Sequence, residues 1–91
     1  MPVPDYQTFM RPLLAALYDG EPRRMRELCA DLATEFQLSE ADMAEMLPSG
    51  RQATYINRIS WAKTYLLKAG ALESPQRAMI KITDRGRKLM Q

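Results

Sequence analysis

Between Pro48 and Leu72 the chain places Arg51, Arg58, Lys63 and Lys68 among Gln52, Thr54, Asn57 and Thr64, with no acidic residue in the stretch. Cationic side chains at these intervals suit phosphate oxygens, and an amide such as Asn57 suits a base edge, since Asn bonds adenine at two places. The same stretch holds Trp61, the chain's one tryptophan, and Tyr65. The alternative is an amphipathic helix whose outer face is basic and merely solvated.

The charge distribution is compatible with both readings. Residues 1–50 carry four basic and nine acidic side chains, a net of −5, and residues 51–91 carry nine basic and two acidic, a net of +7. The overall net charge of +2 therefore conceals a positive C-terminal half, the electrostatic footprint of a phosphate-binding surface.

Other chemistries are poorly served. The chain has no histidine, so Ser-His and Cys-His pairs and histidine metal ligands are excluded. One cysteine makes no zinc site, and the scattered Gly20, Gly50, Gly70 and Gly86 form no phosphate-cradling loop. No catalytic residue, cofactor or metal is expected, and the chain reads as non-enzymatic by itself. The apolar run from Leu13 to Tyr18 is far short of the ~20 residues of a membrane span, and the first residues show no basic-then-apolar pattern, so secretion is not expected. Cys29 has no partner for a disulfide, which suits a reducing, cytoplasmic location.

The elements that must position these groups follow from periodicity. Residues 1–4 contain two prolines and read as a short arm. Asp5 caps a helix whose stripe is Tyr6, Phe9, Met10, Leu13, Leu14 and Leu17; Pro12 inside it predicts a kink or a later start, and Asp19-Gly20 ends it. Glu21 to Arg24 is a connector or a tiny edge strand. Met25, Leu28, Cys29, Leu32 and Phe36 mark a second helix with Cys29 as a buried structural thiol. Ser39 and Asp42 approximate a capping box for a short helix that should bury Met43, Met46 and Leu47 before Pro48-Ser49-Gly50 stops it.

A long helix follows over about residues 52–69. Stepping 100° per residue from Ile59 keeps Tyr55, Ile56, Ala62 and Leu66 on the buried side. Thr54, Asn57, Trp61, Thr64 and Lys68 fall opposite, flanked by Arg58 and Tyr65, in a column about 21 Å long at 1.5 Å per residue. Such a face fits a major groove ~12 Å wide. After Gly70, Ala71 to Ser74 and Ala78 to Ile82 form two strands around the turn Ser74 to Arg77, a wing over about residues 71–82. Thr83 caps a last helix over about residues 83–90, with Leu89 and Met90 docked on the core.

The fold class is mainly α with a small β-hairpin: a winged helix-turn-helix with an extra short helix before the recognition helix, forming a single domain over residues 1–91. The usual turn of that motif is here expanded between Gln37 and Gly50.

The ordered segments "VPDYQTFMRPLL", "LPSGRQ", "NRISWAKTYLLKAGALES" and "ITDRGR" cover nearly the whole chain. Together they resemble the N-terminal domain of Mrr-type restriction proteins. The resemblance implies a winged-helix module joined, in the family, to a C-terminal nuclease domain of the PD-(D/E)xK type, in enzymes that cut DNA carrying modified bases. Two departures stand out. The wing "SPQRAMIKIT" lacks the Arg-Gly pair expected near its turn, and a chain ending at Gln91 leaves no room for the nuclease.

The expected function is double-stranded DNA binding within a restriction system acting on modified DNA, with the long helix in the major groove and the wing on the backbone. Arg51 and Asn57 are the base-edge candidates, with Gln52 nearer the buried side. Arg58, Lys63 and Lys68 contact phosphates; Thr54, Thr64 and Tyr65 add hydroxyls; Arg77 and Lys81 are wing contacts. Trp61 either meets the DNA or braces the wing from beneath. Arg85, Arg87 and Lys88 contribute only to the general field. The other readings are a stand-alone dimeric winged-helix transcriptional regulator and a winged helix used for protein-protein interaction. Tyr6, Tyr18 and the arm are compatible with a homodimer, and no membrane contact is expected.

Overall fold

The Asp5 carboxylate accepts the backbone N–H of Thr8 at 3.0 Å and its hydroxyl at the same distance, which starts α1 (Tyr6–Ala16). The computed structural model describes residues 3–91, so the first half of the expected arm lies outside the described residues. Pro12 sits within α1, and the helix nonetheless begins at Tyr6, so the later start is not taken. Beyond the cap at Leu17 the chain turns through Gly20, whose φ of +89° is left-handed.

Then come β1 (Arg23–Arg24), α2 (Met25–Glu35), α3 (Glu40–Ala44), α4 (Thr54–Lys68), β2 (Leu72–Glu73), β3 (Met79–Ile82) and α5 (Asp84–Leu89). The sheet is antiparallel and three-stranded in the order β1-β3-β2, one strand more than a hairpin. Arg23 faces Ile80 and Leu72 faces Ile82 across the central strand. The short segment after α1 is therefore an edge strand, tied to α2 by the Arg23–Asp31 ion pair at 2.6 Å.

Phe9, Leu13, Leu17, Leu28, Leu32 and Ile59 are fully buried, so the three longer helices meet along their apolar stripes. Ile80 and Ile82 close the core from the sheet. Ala71, between α4 and β2, is also buried. α5 is fastened to this corner. The Thr83 hydroxyl donates to Gly70 O at 2.6 Å and accepts from Gly86 N at 3.0 Å, while Thr83 N donates to Ala71 O at 3.0 Å.

Four local expectations are corrected. The reciprocal Ser39–Asp42 capping box forms, but α3 ends at Ala44 and buries nothing; Met46 is 48% exposed in a bridge to Ala53. The helix stops before the stripe could extend to Met46. Ala78 belongs to the turn and not the strand, at φ +64°, and Ser74 Oγ, donating to Gln76 O and Met79 O, closes the loop only at Met79. Leu89 is exposed, and Gly86 instead faces the core from α5. Met90 alone of the terminal pair packs on it. Thr54 is the fourth and is taken up with the site.

Cys29 is buried, and loss of water around the sulfur raises the thiol pKa from 9.0 to about 11. The folded value exceeds the unfolded one. Its contribution to stability is therefore intact below pH 9 and is lost as pH rises toward 11. The urea midpoint of the wild type should fall relative to Cys29→Ala as pH passes from 9.0 to about 11, the window between those values. A constant difference between the two proteins across that range would contradict the burial argument.

Candidate functional site

The segment ahead of α4 folds as a tight loop. Met46 bridges Ala53, Leu47 N donates to Gln52 O at 3.0 Å, and Gly50 N donates to Leu47 O at 2.8 Å. Gly50 supplies the left-handed turn at φ +70°. Arg51 therefore stands exposed on a loop and not in the first turn of the helix. Thr54 was expected outward and is 4% exposed. Its N–H donates to Glu45 O at 2.9 Å, which draws the end of α3 over the first turn of α4. A helical projection knows the axis of its own helix and not the segment folded across it.

Gln52 and Asn57 act as a pair. Asn57 Nδ2 donates to Gln52 Oε1 at 3.2 Å, which fixes the Asn57 amide and leaves its Oδ1 as an acceptor. Thr64 is half-buried and its hydroxyl donates to Ser60 O at 2.9 Å, so its proton is committed to its own helix. Lys68 is exposed in the last turn of α4.

Trp61 is 48% exposed and Tyr65 43%. Their rings lie 6.1 Å apart with an interplanar angle of 38°. Tyr65 in turn stacks on Tyr6 of α1, at 4.9 Å and 20°. The ring next to Trp61 is thus that of Tyr65 on the same helix, and about half of the Trp61 surface is open. Tyr6, Asn57, Arg58, Trp61 and Tyr65 line one hollow on the surface.

Among the described residues, Arg58, Lys63 and Lys68 have no carboxylate within 4 Å. The charge of Arg58 contributes to holding the Asp5 carboxyl below its ordinary value, after the larger effects of the Thr8 N–H and hydroxyl. The hairpin is less well supplied. Lys81 lies across from Glu73 and pairs with it at 3.5 Å, in a separate polar hollow with Gly20, Thr83 and Arg87. Arg77 is exposed in the turn between β2 and β3. No group of three metal-ligating side chains occurs among the described residues, and no helix there is long and apolar enough to cross a membrane.

The structure therefore gathers Asn57, Arg58, Trp61 and Tyr65, adds Gln52 through its bond to Asn57, and removes Thr54. Sequence reasoning assigned Tyr6 to the core stripe and missed its place beside Tyr65. Its position at the edge of that stripe was the one available sign, and the stacking partner lies 59 positions away in the chain. The family model described as the Mrr N-terminal domain matches residues 6–91. No curated protein and no solved structure matches the chain.

Proposed function

Because this chain belongs to the Mrr N-terminal domain family, we propose that it binds double-stranded DNA as the target-recognition module of a restriction system acting on modified DNA. Cutting falls to a nuclease domain that residues 6–91 do not include. The carrying observation is the outward face of α4, where Arg58 and Lys68 lie unpaired in the half of the chain with net charge +7. The helices α2 and α4, separated by α3 and its loop and followed by the β2–β3 hairpin, support a winged helix-turn-helix reading.

In that arrangement α4 enters the major groove. Arg51 reaches forward from the loop, and the Gln52–Asn57 pair presents an oriented amide to a base edge. Arg58, Lys63 and Lys68 neutralise phosphates beside the groove. Arg77 is the stronger backbone contact of the hairpin, since the charge of Lys81 is offset by Glu73.

The test is fluorescence anisotropy with labelled duplexes, plain and base-modified, at two salt concentrations. With about four phosphate contacts, affinity should fall roughly a hundredfold for a fourfold rise in salt. Combined Arg51→Ala and Asn57→Ala should weaken binding at least about tenfold, given ~1–3 kcal/mol for each good base contact. Unchanged affinity in the folded double variant would remove the recognition-helix assignment. Equal affinity for plain and modified duplexes at matched salt would point instead to a regulator indifferent to modification.

A further inference from the structure

The hollow between α1 and α4 has a chemistry that a fully paired duplex does not satisfy. Its walls are the rings of Tyr6, Trp61 and Tyr65, with the guanidinium of Arg58 and the amide of Asn57 completing it. Trp61 leaves about half of its surface in water, while one face of Tyr65 is taken by the stack on Tyr6, so Trp61 is the ring with surface to offer a ligand. In a paired duplex the faces of the bases are hidden by stacking, and the groove presents only their edges. A ring offering its face is matched by a base that has left the stack. The charge of Arg58 disfavours a cationic occupant of the kind aromatic cages usually hold and favours a ligand carrying phosphate. The bond from Asn57 Nδ2 to Gln52 Oε1 holds Asn57 Oδ1 in a fixed orientation for the amino edge of such a base.

We propose that this hollow receives one unstacked base of bound DNA, with Trp61 as the stacking partner, Asn57 on the base edge and Arg58 on the adjoining phosphate. The inference rests on the DNA-binding reading above and names the part of the ligand that this side of α4 takes.

The chain's single tryptophan reports directly on the site. A short duplex and the same duplex with one central bulged adenine are titrated at matched salt, following Trp61 emission and the anisotropy of labelled DNA. The bulged duplex should bind at least about fivefold more tightly, as one base–aromatic stack allows, and should quench Trp61. The ratio of the two affinities should fall to about one in Trp61→Ala and persist in Trp61→Phe, which keeps a stacking ring. Equal affinities in the wild type, or a preference that survives Trp61→Ala, would overturn the proposal while leaving duplex binding intact. Failure to bind either duplex would overturn the DNA-binding reading and this one with it. An emission change driven by protein concentration alone, indifferent to DNA, would assign the hollow to a second copy of the chain and overturn the proposal as well.

Discussion

Gly86→Ala should destabilise the protein by about 3 kcal/mol or more, seen as a large fall in the urea midpoint. The added methyl would lie far inside van der Waals contact distance of the Ala71 carbonyl oxygen and 2.7 Å from Ile82 Cγ1. Helix propensity favours Ala over Gly by about 0.8–1.0 kcal/mol, so substitution in an open helix would help. Here the clash outweighs that gain, because its first partner is backbone and has no rotamer to change. The carbonyl is also committed: Ala71 O accepts from Thr83 N at 3.0 Å, so moving it strains the bond that fastens α5. Gly50→Ala is the control. No atom lies within 4 Å of its added methyl, and its φ of +70° makes the cost that of a left-handed residue, about 1 kcal/mol. If the two variants lost equal stability, close packing at Gly86 would not be the reason for that glycine.

Phe9→Ala should cost about 3–5 kcal/mol, a large share of the roughly 5–14 kcal/mol expected for a domain of this length. Phe9 is 0% exposed and meets the Phe36 ring at 4.8 Å and 55°, so truncation opens a cavity where α1 meets the end of α2. The consequence extends to the candidate site. Tyr6 lies one helical turn from Phe9, and α1 holds it against Tyr65. A loosened α1 should therefore alter Trp61 emission in the folded variant as well as lower the urea midpoint. Phe9→Leu, which keeps most of the volume, should lose less than about half as much. A Phe9→Ala variant within about 1 kcal/mol of the wild type would mean that the site collapses without a cavity.

The order of elements was legible because each carries its own local signal. Asp5 and Ser39 act as caps, Cys29 lies on the buried stripe of α2, and Ile59 and Leu66 fall inward on α4, all from spacing alone. The reading failed where one segment covers another. The Met46–Ala53 bridge and the Glu45–Thr54 bond bury Thr54, and no periodicity within α4 encodes them. At the C-terminus hydrophobicity points to Leu89 and Met90 as docking residues, and of the two only Met90 packs on the core while Gly86 is the buried residue of α5. The geometry there demands the smallest side chain, because the Ala71 backbone occupies the space.

The amino-acid sequence by itself determined the cationic outer face of α4, the absence of histidine chemistry, the three amphipathic stripes and the family. These are properties of composition and of spacing within one element. Only the tertiary structure decided that Asn57 is held by Gln52, that Thr54 is sealed from solvent, that Lys81 is offset by Glu73, and that Tyr6 joins Tyr65 and Trp61 in one hollow. Most of these turn on contacts between groups on different elements, and their distances are set by the way the helices and strands pack together.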